Sequence, residues 1–130
     1  MDTKFLEISV AEIDKAIGAH GMWKTRLKGA IAEGKTDINL HDLKQDGKCK
    51  FGEWFYGLPR LEGENLIHYN KIKRLHADFH ITAHKVATDA LNGRKAEADQ
   101  SIEEGAFKEI STKLVVALLD WKKYLASHQK

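Results

Sequence analysis

A chain of 130 residues with a single proline, Pro59, leaves long stretches in which nothing interrupts a helical backbone. Three of these stretches carry apolar residues at gaps of three and four, the spacing that lines one face of an α-helix. In the first, about residues 3–33, the stripe is Leu6, Val10, Ile13, Ile17, His20, Leu27 and Ile31, with Trp23 beside it and Gly34 as a stop signal. The second starts at residue 64 or 65 and runs to about 92, presenting Leu66, Ile72, Leu75, Phe79, Ala83, Val86 and Ala90. The third, about 95–127, presents Ile102, Ala106, Ile110, Leu114, Ala117, Leu118, Trp121 and Leu125, with Phe107 adjacent. Its spacing is close to the heptad of bundle packing.

Between the first two stretches lies a segment of different character. Residues 35–65 hold Gly47, Gly52, Gly57, Gly63 and Pro59 among many polar side chains. A connection of this length with little structure of its own tends to carry function. One short helix is expected within it, at about 49–56. No strand-like alternation, internal repeat or low-complexity tract is present. The expected architecture is all-α: a four-helix-bundle-like domain of three long helices and a short helix carrying Cys49. The short helix and its loop stand in the place of a fourth long member, and residues 1–130 are expected to form one domain.

Charge narrows the function classes. Twenty-one basic residues stand against nineteen acidic ones, scattered rather than clustered, so the electrostatic footprint of a nucleic-acid binder is missing. No stretch approaches the roughly 20 apolar residues that cross a bilayer. The N-terminus, Met1-Asp2-Thr3-Lys4, does not resemble a secretory signal. Cys49 has no second cysteine to pair with. A cytoplasmic protein without membrane contact is expected.

The chemistry concentrates in the histidines. His76 and His80 stand at i and i+4 on the second helix, one turn apart on one side. Such a pair holds a metal ion, or its members are polar residues satisfied at the edge of the core. His20 lies in register with Ile13, Ile17, Leu27 and Ile31, where a buried imidazole needs a hydrogen-bond partner or a metal. Cys49 adds a thiol, and one thiolate with three imidazoles is an ordinary tetrahedral zinc set. His84 extends the series by another turn and offers an alternative pair with His80, although eight residues of helix rotate it about 80° away from His76. His41, His68 and His128 read as surface residues, and Asp78 as one group able to orient a ligand imidazole.

The arrangement His20-Gly21-Met22-Trp23, then Cys49-Lys50-Phe51-Gly52-Glu53-Trp54, then His76-Ala77-Asp78-Phe79-His80 resembles the chemoreceptor zinc-binding (CZB) domain family. The three family motifs are H-x-x-W, C-x-[FL]-G-x-W and H-x-x-x-H. Cys49 follows His20 by 29 positions, and His76 follows Cys49 by 27. Tyr56-Gly57 and Gly105-Ala106-Phe107 extend the likeness over most of the chain. The resemblance implies a helical bundle, often a homodimer, with Zn2+ ligated by His20, Cys49, His76 and His80. It also implies a regulatory role in bacterial chemoreceptors or diguanylate cyclases, sensing zinc or oxidants such as hypochlorous acid. An output domain or partner protein is expected outside this chain.

Catalysis is not expected. Four protein ligands leave no position for the water that hydrolytic zinc needs, and no HExxH motif offers a general base. Two other readings remain: a structural zinc site in an interaction module, and a hemerythrin-like di-iron carrier. The second would require bridging carboxylates and an HxxxE motif, and no histidine here has a glutamate four residues later.

Overall fold

The periodic stripes fold as helices in a computed structural model that describes residues 2–128. Helix α1 spans Thr3–Glu33. Asp2 caps its start by accepting from the Lys4 N–H at 3.0 Å. At its end Gly34 is left-handed, and its N–H donates to the Ala30 carbonyl at 2.8 Å. Helix α4 spans Gly63–Leu91 and lies along α6, Ala106–Ala126, with α1 packed against both. Helix α5, Lys95–Glu104, packs on α4, α6 and α1. No strand occurs among the described residues, so the all-α bundle is the observed fold.

The core is built from the predicted faces. Leu6, Ile13 and Leu27 of α1 meet Ile72, Phe79 and Ala83 of α4 and Leu114, Leu118, Trp121 and Leu125 of α6, all fully or almost fully buried. Inside this apolar layer the Trp121 indole N–H donates to Asn65 Oδ1 at 3.0 Å, which satisfies a buried donor. Ion pairs tie the outer faces, Lys122 to Asp14 at 2.6 Å and Lys28 to Glu103. Asp89 holds the corner between α4 and α5. Its carboxylate accepts from Lys85 and from Arg94 Nε, each at 2.8 Å.

Several expectations are corrected. The third long helix is two helices, because the backbone leaves helical geometry at Gly105 (φ −114°, ψ −147°). There the chain passes so close to the preceding turn that a Cβ would lie 3.0 Å from Ser101 Cα. Ser101 Oγ accepts the Phe107 N–H at 3.1 Å, one of the donors left open by the break. Leu66 and Ala106, both expected on buried faces, are exposed. Their intervals fit the stripes, but Leu66 lies in the first turn of α4 and Ala106 is the first residue of α6.

The connection is also more structured than expected. It contains α2 (Leu40–Leu43), a 3₁₀ turn (Asp46–Lys48) and α3 (Lys50–Tyr56). Helix α2 and the turn pack on α4, and α3 packs on α1. This segment therefore closes the side of the bundle between α1 and α4, where a fourth long helix would otherwise lie.

Candidate metal centre

Three helices bring four donor groups to one point. His20 on α1 and His76 and His80 on α4 face each other across the core, 3%, 0% and 2% exposed. Imidazoles this deep must be partnered, because each carries two polar nitrogens out of water. Cys49, half-buried, is the N-cap of α3 and closes the group from the side. One donor atom from each of His20, Cys49, His76 and His80 lies within 4.8 Å of every other. His76 Nε2 is 3.3 Å from Cys49 Sγ and 3.1 Å from His80 Nε2. Zinc–nitrogen bonds of about 2.0–2.1 Å and a zinc–sulfur bond of about 2.3 Å, set tetrahedrally, need donors about 3.3–3.6 Å apart.

The hydrogen bonds on the far side of each ring orient it. His20 Nδ1–H donates to the Ala16 carbonyl one turn earlier at 2.7 Å. His80 Nδ1–H donates to the Leu43 carbonyl at the end of α2, at 2.9 Å. With Nδ1 protonated, each ring presents the Nε2 lone pair to the centre. His20 Nε2 is buried with no protein partner, an orphaned lone pair aimed into the cluster. These residues fit a thiophilic divalent cation such as zinc, which would hold Cys49 as a thiolate.

The local sequence explains the position of the thiol. Cys49 has extended backbone geometry (φ −80°, ψ 159°), and its sulfur accepts the Gly52 N–H at 3.2 Å in the manner of a serine cap. The thiol lies 3.5 Å from the Asp46 carbonyl, within reach of a weak S–H donation. Around the cluster, Phe79 meets His20 edge-to-face at 4.8 Å, and Phe51 meets His76 at 5.0 Å. Both phenyl rings are buried, and they keep water from the imidazoles.

Burial sets the charge state. Desolvation lowers His20 to about 4, opposed by the Ala16 carbonyl and reinforced by His80. It lowers His76 to about 2, with repulsion from His80 and His20 adding to the effect. His80 is lowered for the same first reason, and the Cys49 thiol is raised by burial against the pull of the Gly52 N–H. The metal-free centre at neutral pH therefore holds three neutral imidazoles and a protonated thiol. The imidazoles are already neutral, and the one proton a cation must release is that of the thiol.

The remaining histidines stand apart. His84 is half-buried one turn beyond His80 and is not among the four clustered donors. His41 is exposed and bonds Gln45, and His128 is exposed against Tyr124. His68 is less exposed than expected, packed on Tyr124 and 3.6 Å from Glu64. Asp78, expected as a group able to orient an imidazole, is exposed and is not among the clustered donors. The carboxylate beside the centre is Asp46, with Oδ2 3.7 Å from His76 Nδ1. Three residues before Cys49 in the most irregular stretch of the chain, it had no periodicity to mark it.

Known proteins place this geometry in context. No curated protein matches the chain. A solved structure described as the regulatory CZB domain of DgcZ superposes with a TM-score of 0.74 at 21% identity, covering 93% of this chain and 98% of that one. At that identity the likeness establishes a shared fold. The profile of the chemoreceptor zinc-binding domain matches residues 20–87, which begins at His20 and takes in Cys49, His76 and His80. That match spans more than half of the sequence, and the chain belongs to the chemoreceptor zinc-binding domain family.

Proposed function

We propose that His20, Cys49, His76 and His80 hold one Zn2+ and that the domain reports on it to a bacterial signalling partner, in chemotaxis or cyclic-di-GMP signalling. The observation that carries this reading is the convergence of the four donors, with the Nδ1 atoms of two rings already engaged by carbonyls. The signal is a change in zinc level, oxidation of Cys49 by an oxidant such as hypochlorous acid, or both. Bound zinc supplies the charge that keeps sulfur in its reactive form. Two-electron oxidation of the thiolate by hypochlorous acid then yields sulfenic acid and chloride, and sulfur becomes a poor ligand.

The placement of the donors supports a switch. His20, His76 and His80 stand on long helices held by the core, whereas Cys49 begins a helix of seven residues. A cleft of about 170 Å³ lined by Trp23, Arg26, Ile38, Asp42 and Lys48 opens on Cys49 and His80, giving small molecules a route to the sulfur. Loss of the sulfur ligand releases α3 first, while the three imidazoles hold the cation weakly. The domain works in the cytoplasm as a homodimer joined to an output domain or partner protein. Ile67 and Ile81 on α4 and Val116 and Leu119 on α6 are exposed apolar residues suited to such contacts. No described helix is long and apolar enough to cross a membrane.

Elemental analysis after zinc loading tests the site, with one zinc per chain expected; two irons, or no metal, would end the reading. Stoichiometric hypochlorous acid tests the switch, followed by zinc release, the mass of Cys49 and amide exchange over residues 45–60. Oxidised Cys49 with unchanged exchange there would leave zinc-level sensing or a structural zinc site as the better account. A di-iron carrier is disfavoured because the clustered donors include no carboxylate.

A further inference from the structure

Asp46 is placed where only one ligand histidine can use it. His76 offers Nε2 to the donor cluster, 3.1 Å from His80 Nε2 and 3.3 Å from Cys49 Sγ. When Nε2 gives its lone pair to a metal, the His76 proton sits on Nδ1, and that atom is buried without a hydrogen-bond partner. His20 and His80 have the Ala16 and Leu43 carbonyls for the same purpose. His76 has the Asp46 carboxylate, with Oδ2 at 3.7 Å, slightly beyond hydrogen-bond reach. The same Oδ2 accepts the Tyr56 hydroxyl from the far end of α3. A carboxylate oxygen has lone pairs for both donors.

Building on the proposed zinc site, we infer that Asp46 is the positioning residue for His76: its carboxylate takes the Nδ1–H and so fixes the Nε2 lone pair toward the metal. A carboxylate partner makes an imidazole more basic than a carbonyl partner does, so His76 is the strongest nitrogen donor of the three. The arrangement also couples the two unlike ligands. Asp46 lies in the turn that leads into Cys49, and its main-chain carbonyl lies 3.5 Å from Cys49 Sγ. Movement of the Cys49 segment therefore carries the His76 partner with it, so loss of the thiolate weakens an imidazole ligand as well.

The test uses the whole chain, with nitrogen-15 NMR of the His76 ring and zinc titration against a competing chelator. In zinc-loaded wild type, the His76 Nδ1–H should show the downfield proton and nitrogen shifts of a hydrogen bond to a carboxylate. Asp46→Ala should abolish those shifts and weaken zinc binding about 10–100-fold, the usual effect of removing such a partner. Asp46→Asn keeps an acceptor and should recover part of both losses. Tyr56→Phe removes the hydroxyl but spares the carboxylate and should bind zinc within about threefold of wild type. An unchanged His76 Nδ1–H signal in zinc-loaded Asp46→Ala, or a loss in Tyr56→Phe as large as in Asp46→Ala, would overturn the assignment while leaving the metal site standing. Failure of the wild type to bind zinc would instead overturn the metal site, and with it the assignment that rests on it.

Discussion

Gly52 lies against Asp46 so closely that a Cβ on Gly52 would stand 2.0 Å from the Asp46 carbonyl oxygen. The same glycine donates its N–H to Cys49 Sγ. The small residue thus lets α3 start directly over the preceding turn, and that closeness places the sulfur beside His76.

Gly52→Ala should therefore disturb both packing and metal binding. A backbone carbonyl cannot yield as a flexible side chain does, so the turn or the helix start must shift. The cost expected is about 1–3 kcal/mol, as for other overpacked sites, with a weaker zinc affinity. Thermal denaturation with and without zinc measures the two effects. An unchanged melting temperature together with unchanged zinc affinity would contradict the tight contact.

The two histidines of α4 should matter unequally with their neighbour. His76→Ala and His80→Ala should each lower zinc affinity strongly, and His84→Ala only weakly, because His84 lies outside the clustered donors. Isothermal titration of the three variants decides this. If His84→Ala matches His80→Ala while His76→Ala has no effect, the ligand pair is displaced by one turn.

Acid should destabilise the metal-free domain. An unfolded histidine takes up a proton near pH 6.5, whereas folded His20 does so only at about 4 and His76 at about 2. Between these values the unfolded state binds more protons, so stability falls as pH falls. Urea midpoints should be steady above about pH 7 and drop progressively from about pH 6.5 to 4. His20→Gln should flatten part of that slope, and an identical profile in the variant would count against a neutral buried His20.

Chelation should lower the melting temperature without unfolding the bundle. A metal that binds only the folded state adds stability that depends on its concentration, about 4 kcal/mol at a thousand times its dissociation constant. The core of α1, α4 and α6 does not depend on it, since Leu6, Ile13, Ile72, Leu114, Leu118 and Leu125 are buried among themselves. Circular dichroism should stay mainly helical at room temperature with excess chelator. Complete loss of the helical signal would show that the metal nucleates the fold.

Phe79 serves core and centre together. It is fully buried, packs on Phe107 at 5.5 Å and meets His20 at 4.8 Å. Phe79→Ala should cost about 3–5 kcal/mol and leave a cavity beneath His20. Phe79→Leu should be milder in stability yet still weaken zinc binding, because a smaller side chain lets the His20 ring tilt. Chemical denaturation of both variants, with zinc titration, separates the two contributions.

Helix placement was legible in the sequence because it is a local property. A period of 3.6 residues, one proline and the Gly34 stop suffice to locate α1 and α4, and the expected short helix at 49–56 is α3 with Cys49 as its cap. The four side chains that cluster in the structure stand in spaced motifs of residue types suited to metal binding. What the tertiary structure alone decided depends on contacts between distant parts of the chain. Gly105 breaks the third stripe although the apolar spacing runs through it, because the stripe records which side is buried and not whether the hydrogen-bond ladder continues. Leu66 fits the α4 face but lies beyond its neighbours' cover. Asp78 stands between His76 and His80 in sequence, yet a helix turns a residue at i+2 to a different side, and it is exposed. Asp46, 30 positions from His76, reaches the centre because the Asp46–Lys48 turn folds back onto α4, a path no periodicity in the sequence records.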